Sequence, residues 1–310
     1  MKRFNTFVIL TAVLFLFGCA GGNAVKKTPD HIISGMKEIR KGTTWYQRGC
    51  YKRSLEYFFR AHELFAASDQ LDGVAMSMNN IGNIYRVMED IDSSLLFFEE
   101  SIRIYQDIEN YNGLVQALSN KAAVLIDSDR LEEAAGVLKS AEDIAQKNSI
   151  PTGHILNNRG ILFIREKEYS RAEEILNSVL ANADPANCSE YATVNFALGN
   201  LMRETGRHEK AVYFFKAALE TDRLSGFHKG IADDLSAIGD VNFSQGKYEP
   251  AVNYFKRSIK IYALIQNRSK VSEIMKKLDI ASEKAGQDIS VTKHFINRWL
   301  EGKDFEGPCK

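Results

Sequence analysis

Small and large apolar positions recur along this chain at fixed intervals. Six segments align in register: GTTWYQRGCYKRSLEYFFRA from Gly42, GNIYRVMEDIDSSLLFFEES from Gly82, AAVLIDSDRLEEAAGVLKSA from Ala122, GILFIREKEYSRAEEILNSV from Gly160, GNLMRETGRHEKAVYFFKAA from Gly199 and GDVNFSQGKYEPAVNYFKRS from Gly239. The period is 38 to 40 residues. The first column is small throughout: Gly42, Gly82, Ala122, Gly160, Gly199, Gly239. Twelve residues on lies a second small column: Ser54, Ser94, Ala134, Ala172, Ala211, Ala251. Four further on the residue is large and apolar: Phe58, Phe98, Leu138, Leu176, Phe215, Phe255. Three beyond that, Ala61, Ser101, Ala141 and Ala218 are small again.

Spacings of four and seven lie on one face of a helix. Small residues let two helices approach closely, and large ones fill the space beside them. Gly49, Gly206 and Gly246 share a column between the two halves of their units, where a turn is needed. Each unit is therefore predicted to be a helix-turn-helix hairpin. Stacked hairpins of one kind make a solenoid.

The pattern resembles the tetratricopeptide repeat, with six units over residues 30–265. Two features depart from the commoner form. The period is near 40 rather than 34, and no proline closes a unit. Gly73, Gly113 and Gly230 share one phase before the next first helix instead. The resemblance is to the longer-helix class found in peptide-sensing regulators and motor light chains. It implies an all-α, α-α superhelix of stacked hairpins. Residues 266–300 carry the phase in weaker form: Gly286 falls in the turn column and Phe295 in the large one, while Asp279 breaks the small one. They read as a degenerate seventh unit capping the array, and residues 301–310 as a flexible tail.

The N-terminus follows another pattern. Lys2 and Arg3 precede an apolar run from Phe7 to Phe17 that suits the core of a signal peptide and is too short to span a bilayer. It ends in Leu16-Phe17-Gly18-Cys19, which resembles the lipobox of bacterial lipoproteins, with Phe17 bulkier than the usual residue there. The resemblance implies removal of residues 1–18, lipidation of Cys19 and a tether over residues 19–29. Several acyl chains on one residue would hold firmly to a membrane. Residue 20 is Ala rather than Asp, which in that family points to the periplasmic face of the outer membrane. An ordinary signal peptide or an uncleaved anchor are the alternative readings.

Composition adds bounds. Forty basic and forty acidic residues cancel, which removes any electrostatic case for nucleic acid. Five prolines in 310 residues agree with a helical chain. Beside Cys19 stand Cys50, Cys188 and Cys309, an odd set that allows a free thiol or one disulfide and does not say which. No metal-ligand spacing, nucleotide loop or nucleophile elbow is present, so the chain reads as a non-enzyme without cofactor or metal. His208 reads as a packing residue, Phe58, Phe59, Phe97 and Phe98 as core, and the acid pairs Glu132-Glu133, Glu173-Glu174 and Asp233-Asp234 as solvated surface.

The resemblance also implies where a partner would bind. The first helix of each hairpin lines the concave face, and the residue two before the first small column faces the groove. That column reads Arg40, Asn80, Asn120, Asn158, Ala197, Ala237. Asn is a poor residue inside a helix, but its amide both donates and accepts, as an extended peptide requires. Asn83 and Arg86, one turn on, and Asn200 and Arg203 in the same columns complete the candidate groove. The bland alternative is that these asparagines bond neighbouring helices and set the superhelix. A lipid-anchored adaptor for peptide or protein partners is the leading expectation, serving envelope assembly, secretion or cell-wall processes. A structural subunit of an outer-membrane complex, bound through an apolar patch near Phe295, Trp299 and Phe305, is the second. An accessory chaperone for a pilus or secretion component is the third. The oligomeric state is open.

Overall fold

Fourteen helices account for nearly all of the computed structural model, which describes residues 30–302 and Cys309. Residues 1–29, with the predicted signal peptide, Cys19 and the tether, lie outside the described residues, as does Phe305. The helices pair as α1 (Asp30–Gln47) with α2 (Tyr51–Ala66), α3 (Leu71–Val87) with α4 (Ile91–Asp107), and α5 (Tyr111–Asp127) with α6 (Leu131–Lys147). Then come α7 (Gly153–Arg165) with α8 (Tyr169–Asn182), α9 (Cys188–Glu204) with α10 (His208–Ser225), and α11 (His228–Ser244) with α12 (Tyr248–Leu264). The last two are α13 (Arg268–Ala285) and α14 (Ser290–Glu301). The fold is an all-α superhelix of tetratricopeptide-type hairpins.

Helices of uniform length explain the long period. The six helices α3 to α6, α11 and α12 each have 17 residues, followed by a short turn. The fourth hairpin is shorter, with 13 and 14 residues in α7 and α8, which accounts for its reduced spacing. Almost every turn closes in the same way. A residue in the left-handed region follows the helix, and the next amide donates back to a carbonyl in the last turn. Thus Gln70 N bonds Phe65 O at 2.9 Å, Asp90 N bonds Tyr85 O at 3.0 Å and Lys247 N bonds Asn242 O at 2.9 Å. Gly49, Gly206, Gly246 and Gly286 hold the left-handed position within hairpins, but so do Glu89, Asp129 and Lys167.

The small and large columns meet as the pattern requires. A β-carbon on Gly42 would lie 2.5 Å from the Phe58 ring, and one on Gly199 would lie 2.5 Å from that of Phe215. Gly82 with Phe98, Gly160 with Leu176 and Gly239 with Phe255 repeat the arrangement. Phe58, Phe98, Leu138, Leu176, Phe215 and Phe255 are all buried, each stabilising the fold by about 1.5–3 kcal/mol. The second small column brings backbones together: Ser54 Oγ donates to Gly42 O at 2.7 Å and Ser94 Oγ to Gly82 O at 2.8 Å. The aromatic stripe is only half core. Phe58 and Phe98 are sealed, but Phe59 is 37% exposed and meets the half-buried Phe97 edge-on at 6.2 Å. It lies one residue round the helix, past the face that turns inward.

Across hairpins, α1 packs on α3, α3 on α5, α5 on α7, α7 on α9 and α9 on α11, so the first helices form the inner, concave wall. The second helices form the convex wall. At the C-terminal end α14 lies back against α12. Gln266 Nε2 donates to Trp299 O at 2.8 Å, Arg268 donates to Leu300 O, and Ile296 is fully buried. No helix among the described residues is long and apolar enough to cross a membrane.

Candidate functional site: the concave face and its seam

The predicted groove residues lie on the inner helices, and all seven are half-buried. Two asparagines join neighbouring helices. Asn120 Nδ2 donates to Asn79 Oδ1 at 3.1 Å, and Asn158 Nδ2 donates to both Ser119 O at 3.0 Å and Ser119 Oγ at 2.9 Å. Two others bond only their own helix: Asn80 Nδ2 to Met76 O at 2.8 Å and Asn83 Nδ2 to Asn79 O at 3.2 Å. Their amide oxygens accept nothing among the described residues, and Asn200 makes no side-chain bond there. Arg86 pairs with Asp127 at 2.7 Å across α3 and α5, while Arg203 reaches its chain neighbour Glu204 at 3.3 Å. Asn79 and Ser119, one residue before the asparagine column, are the acceptors that sequence reasoning missed. The inner wall is thus polar, and part of its hydrogen-bonding capacity is unspent.

The superhelix closes on itself, a feature not foreseen from the sequence. The turn of the first hairpin meets the connection between the fifth and sixth. Tyr46 stacks on Phe227 with centroids 5.7 Å apart, and His228 Nδ1 lies 3.1 Å from Arg48 O. Behind them Lys229 Nζ pairs with Asp233 Oδ2 at 2.6 Å, and the Tyr262 hydroxyl donates to Asp233 Oδ1. Burial would lower the Lys229 ammonium, but the Asp233 carboxylate outweighs it and leaves the pKa raised. Burial raises the phenols of Tyr46, Tyr51 and Tyr262, so the seam's tyrosines stay neutral. The seam is also covalently fastened. Cys309 forms a disulfide with Cys50, at the start of α2, with Cα atoms 5.1 Å apart. Cys188 is the free thiol among the described cysteines. The tail expected to be loose is therefore tied at Cys309 to the first hairpin.

Beside the seam lie two carboxyls where the repeat calls for other residues. The column seven after the large one reads Phe65, Tyr105, Ala145, Ala183, Asp222, Tyr262. The column five before the first small one reads Ser77, Ala117, Ile155, Val194, Asp234 from the second hairpin to the sixth. Asp222 is 7% exposed and Asp234 is 1% exposed, and Asp234 Oδ2 has no hydrogen-bond partner. Burial, with repulsion from Asp233, pushes Asp222 up to about 7 despite Lys229. Burial, with repulsion from Asp222 and Asp233, pushes Asp234 up to about 9. This corrects the reading of Asp233-Asp234 as solvated surface: one is paired inside the seam and the other is core. Their columns were the available signal. Glu132, Glu133 and Glu174 are exposed.

Comparison with known proteins agrees with this geometry. A family model described as the tetratricopeptide repeat matches residues 38–107 and 190–263. Anaphase-promoting complex subunit CDC16 of Saccharomyces cerevisiae is 21% identical over 241 residues, which is 76% of this chain and 26% of that protein. TPR repeat-containing protein YpiA of Bacillus subtilis is 24% identical over 191 residues, 57% of this chain and 42% of that protein. The chain therefore spans well under two thirds of the length of either curated relative. A crystal structure of a Rap protein complexed with competence and sporulation factor superposes with a TM-score of 0.58 at 14% identity, covering 84% of this chain and 78% of that one. That likeness concerns the fold. Two segments of this chain match the tetratricopeptide repeat, and its columns and hairpins stack as an α-α superhelix of that type.

Proposed function

We propose that this protein is a lipid-anchored adaptor of the bacterial envelope that holds an extended segment of a protein or peptide partner against its concave face. The supporting observation is the inner row of half-buried asparagines. The side-chain oxygens of Asn80 and Asn83 and the whole amide of Asn200 are uncommitted among the described residues. An extended backbone offers alternating N–H and C=O groups that such amides can meet from one side. The anchor, through Cys19, would confine the groove to the membrane surface and raise its effective concentration for partners there.

The asparagines divide into two tests. Asn120→Ala and Asn158→Ala would also cut bonds between helices. Asn80→Ala/Asn83→Ala/Asn200→Ala removes groove amides and leaves those bonds in place. Crosslinking and partner identification from native membranes, after circular dichroism has shown equal folding, should lose a partner with the latter triple variant. An unchanged partner set would remove the groove from consideration. Cys19→Ser should release the chain from membranes or block its processing, and unchanged partition with normal cleavage would defeat the anchor.

A second reading, a fixed subunit held by its C-terminal end, has one observation in its favour. Val291 is 68% exposed and Phe295 is 42% exposed on α14, with the Phe295 and Trp299 rings 5.6 Å apart. In that case Val291→Ser/Phe295→Ser, rather than the asparagine variant, would remove the partner.

A further inference from the structure

The buried carboxyls lie at a joint that carries the seam, between α10 and α11. A β-carbon on Gly230 would fall 1.7 Å from Asp222 Oδ2 and 2.6 Å from Phe227 Cδ1, so the carboxyl and the ring share the notch that this glycine leaves. Asp234 is one helical turn beyond Gly230 on the same face of α11, within reach of the Asp222 charge. The ring of Phe227 bears on the notch and stacks on Tyr46, so it links the notch to the first hairpin.

The charges around the pair do not neutralise it. From α11 come Asp233 and Lys229, which are paired to each other. From α10 comes Arg223, which is exposed and pulls Asp234 down without overcoming its burial. From α12 the Tyr262 hydroxyl is spent on Asp233. From α1 and α3, Tyr46 and Arg86 face Lys229 rather than Asp222 or Asp234. Neighbouring buried carboxyls without a cation of their own keep a proton or move apart.

We propose that Asp222 and Asp234 form a proton-operated latch for the superhelix. With the pair protonated, α10 and α11 close and Phe227 holds the first hairpin. With the pair ionised, the α10–α11 joint spreads, Phe227 leaves Tyr46 and the seam opens towards the concave face. The latch does not depend on the groove reading, since its test needs no partner.

The sign follows from linkage. Both carboxyls are raised above their unfolded value, so the native state binds more protons than the unfolded state across the interval between. Stability is full at acid pH and is lost as pH rises through the native values. The chain has two tryptophans, and Trp45 lies at the seam, between Arg48 and Arg53. In a Trp299→Phe background, Trp45 emission is followed from about pH 5 to about pH 10.5, past both native values, with the disulfide intact and reduced. One step is expected, largest in the reduced chain, and a flat profile is expected for Asp222→Asn/Asp234→Asn. If that variant does not fold, the infrared band of a protonated carboxyl decides on the unsubstituted chain. Its loss on raising the pH together with the Trp45 step supports the latch. No such band at neutral pH, a band lost without any change at Trp45, or an identical step in the Asn variant would overturn it.

Discussion

Gly49, in the first hairpin's turn, lies against Ile265, which follows α12: a β-carbon on Gly49 would be 2.6 Å from Ile265 Cγ2. Its left-handed backbone is matched by Gly246 in the same repeat column, with φ of 73° at Gly49 and 71° at Gly246. No neighbour lies within 4 Å of a β-carbon on Gly246. The pair separates backbone strain from closure. Gly246→Ala should cost about 1–2 kcal/mol, the left-handed penalty for an L-residue. Gly49→Ala carries that penalty and also forces the seam apart, for a further cost of about 1–3 kcal/mol. Chemical denaturation of both variants checks this, and equal losses would mean that the ends do not meet in solution.

Adjacent phenylalanines give a second contrast. Phe58 is 2% exposed against Gly42, and Phe59 is 37% exposed at the convex surface. Phe58→Ala should destabilise the chain by about 3–5 kcal/mol, since the backbone at Gly42 cannot move in to fill the cavity. Phe59→Ala loses part of one aromatic contact and should cost about 1 kcal/mol or less. Thermal unfolding of the two variants side by side measures the difference, and comparable losses would contradict the inward and outward assignment.

These contrasts show what could be read from sequence. Gly42 with Phe58 and Gly199 with Phe215 were legible because steric complementarity repeats with the hairpin, and six copies average out the exceptions. The turns were legible where glycine marks them, at Gly49, Gly206 and Gly246. At Glu89, Asp129 and Lys167 the same backbone closure is made by main-chain bonds alone, and side-chain identity carries little trace of it. The seam was not legible. Contact between Tyr46 and Phe227 depends on how far each hairpin rotates on the last, which no column encodes. Its one sequence mark was acid at Asp222 and Asp234 in columns otherwise mostly apolar or small. In the asparagine row, Asn120 and Asn158 bond neighbouring helices, whereas Asn80 and the nearby Asn83 bond only their own helix.

The non-glycine turns are sites for stabilisation. Glu89 has φ of 65°, although its side chain is exposed. Glu89→Gly relieves the left-handed penalty and gives back some chain entropy in the unfolded state, for a net gain of about 0.5–1 kcal/mol. Asp129→Gly should be smaller, because it also removes the pair between Asp129 and Arg165 at 2.9 Å. Urea midpoints rank the two, and a loss of stability in Glu89→Gly would show that the turn relaxes out of the left-handed region.

The disulfide joins residues 259 apart, so it closes a loop of most of the folded chain. A crosslink acts mainly by restricting the unfolded ensemble, and a long loop restricts it strongly, by about 2–4 kcal/mol in typical cases. Here it also holds Cys309 against the hairpin that begins the seam. Peptide mapping of the unreduced protein should therefore find Cys50 joined to Cys309, with Cys188 open to alkylation. Reductant should lower the unfolding midpoint of the unsubstituted chain and leave that of Cys309→Ser unchanged. Because the bond persists only in an oxidising compartment, the same mapping on protein recovered directly from cells also bears on location. Oxidised Cys50–Cys309 agrees with an envelope site, whereas fully reduced thiols in protein trapped by rapid alkylation would count against it. Pairing of Cys188 with either partner would mean that the tail does not reach the first hairpin.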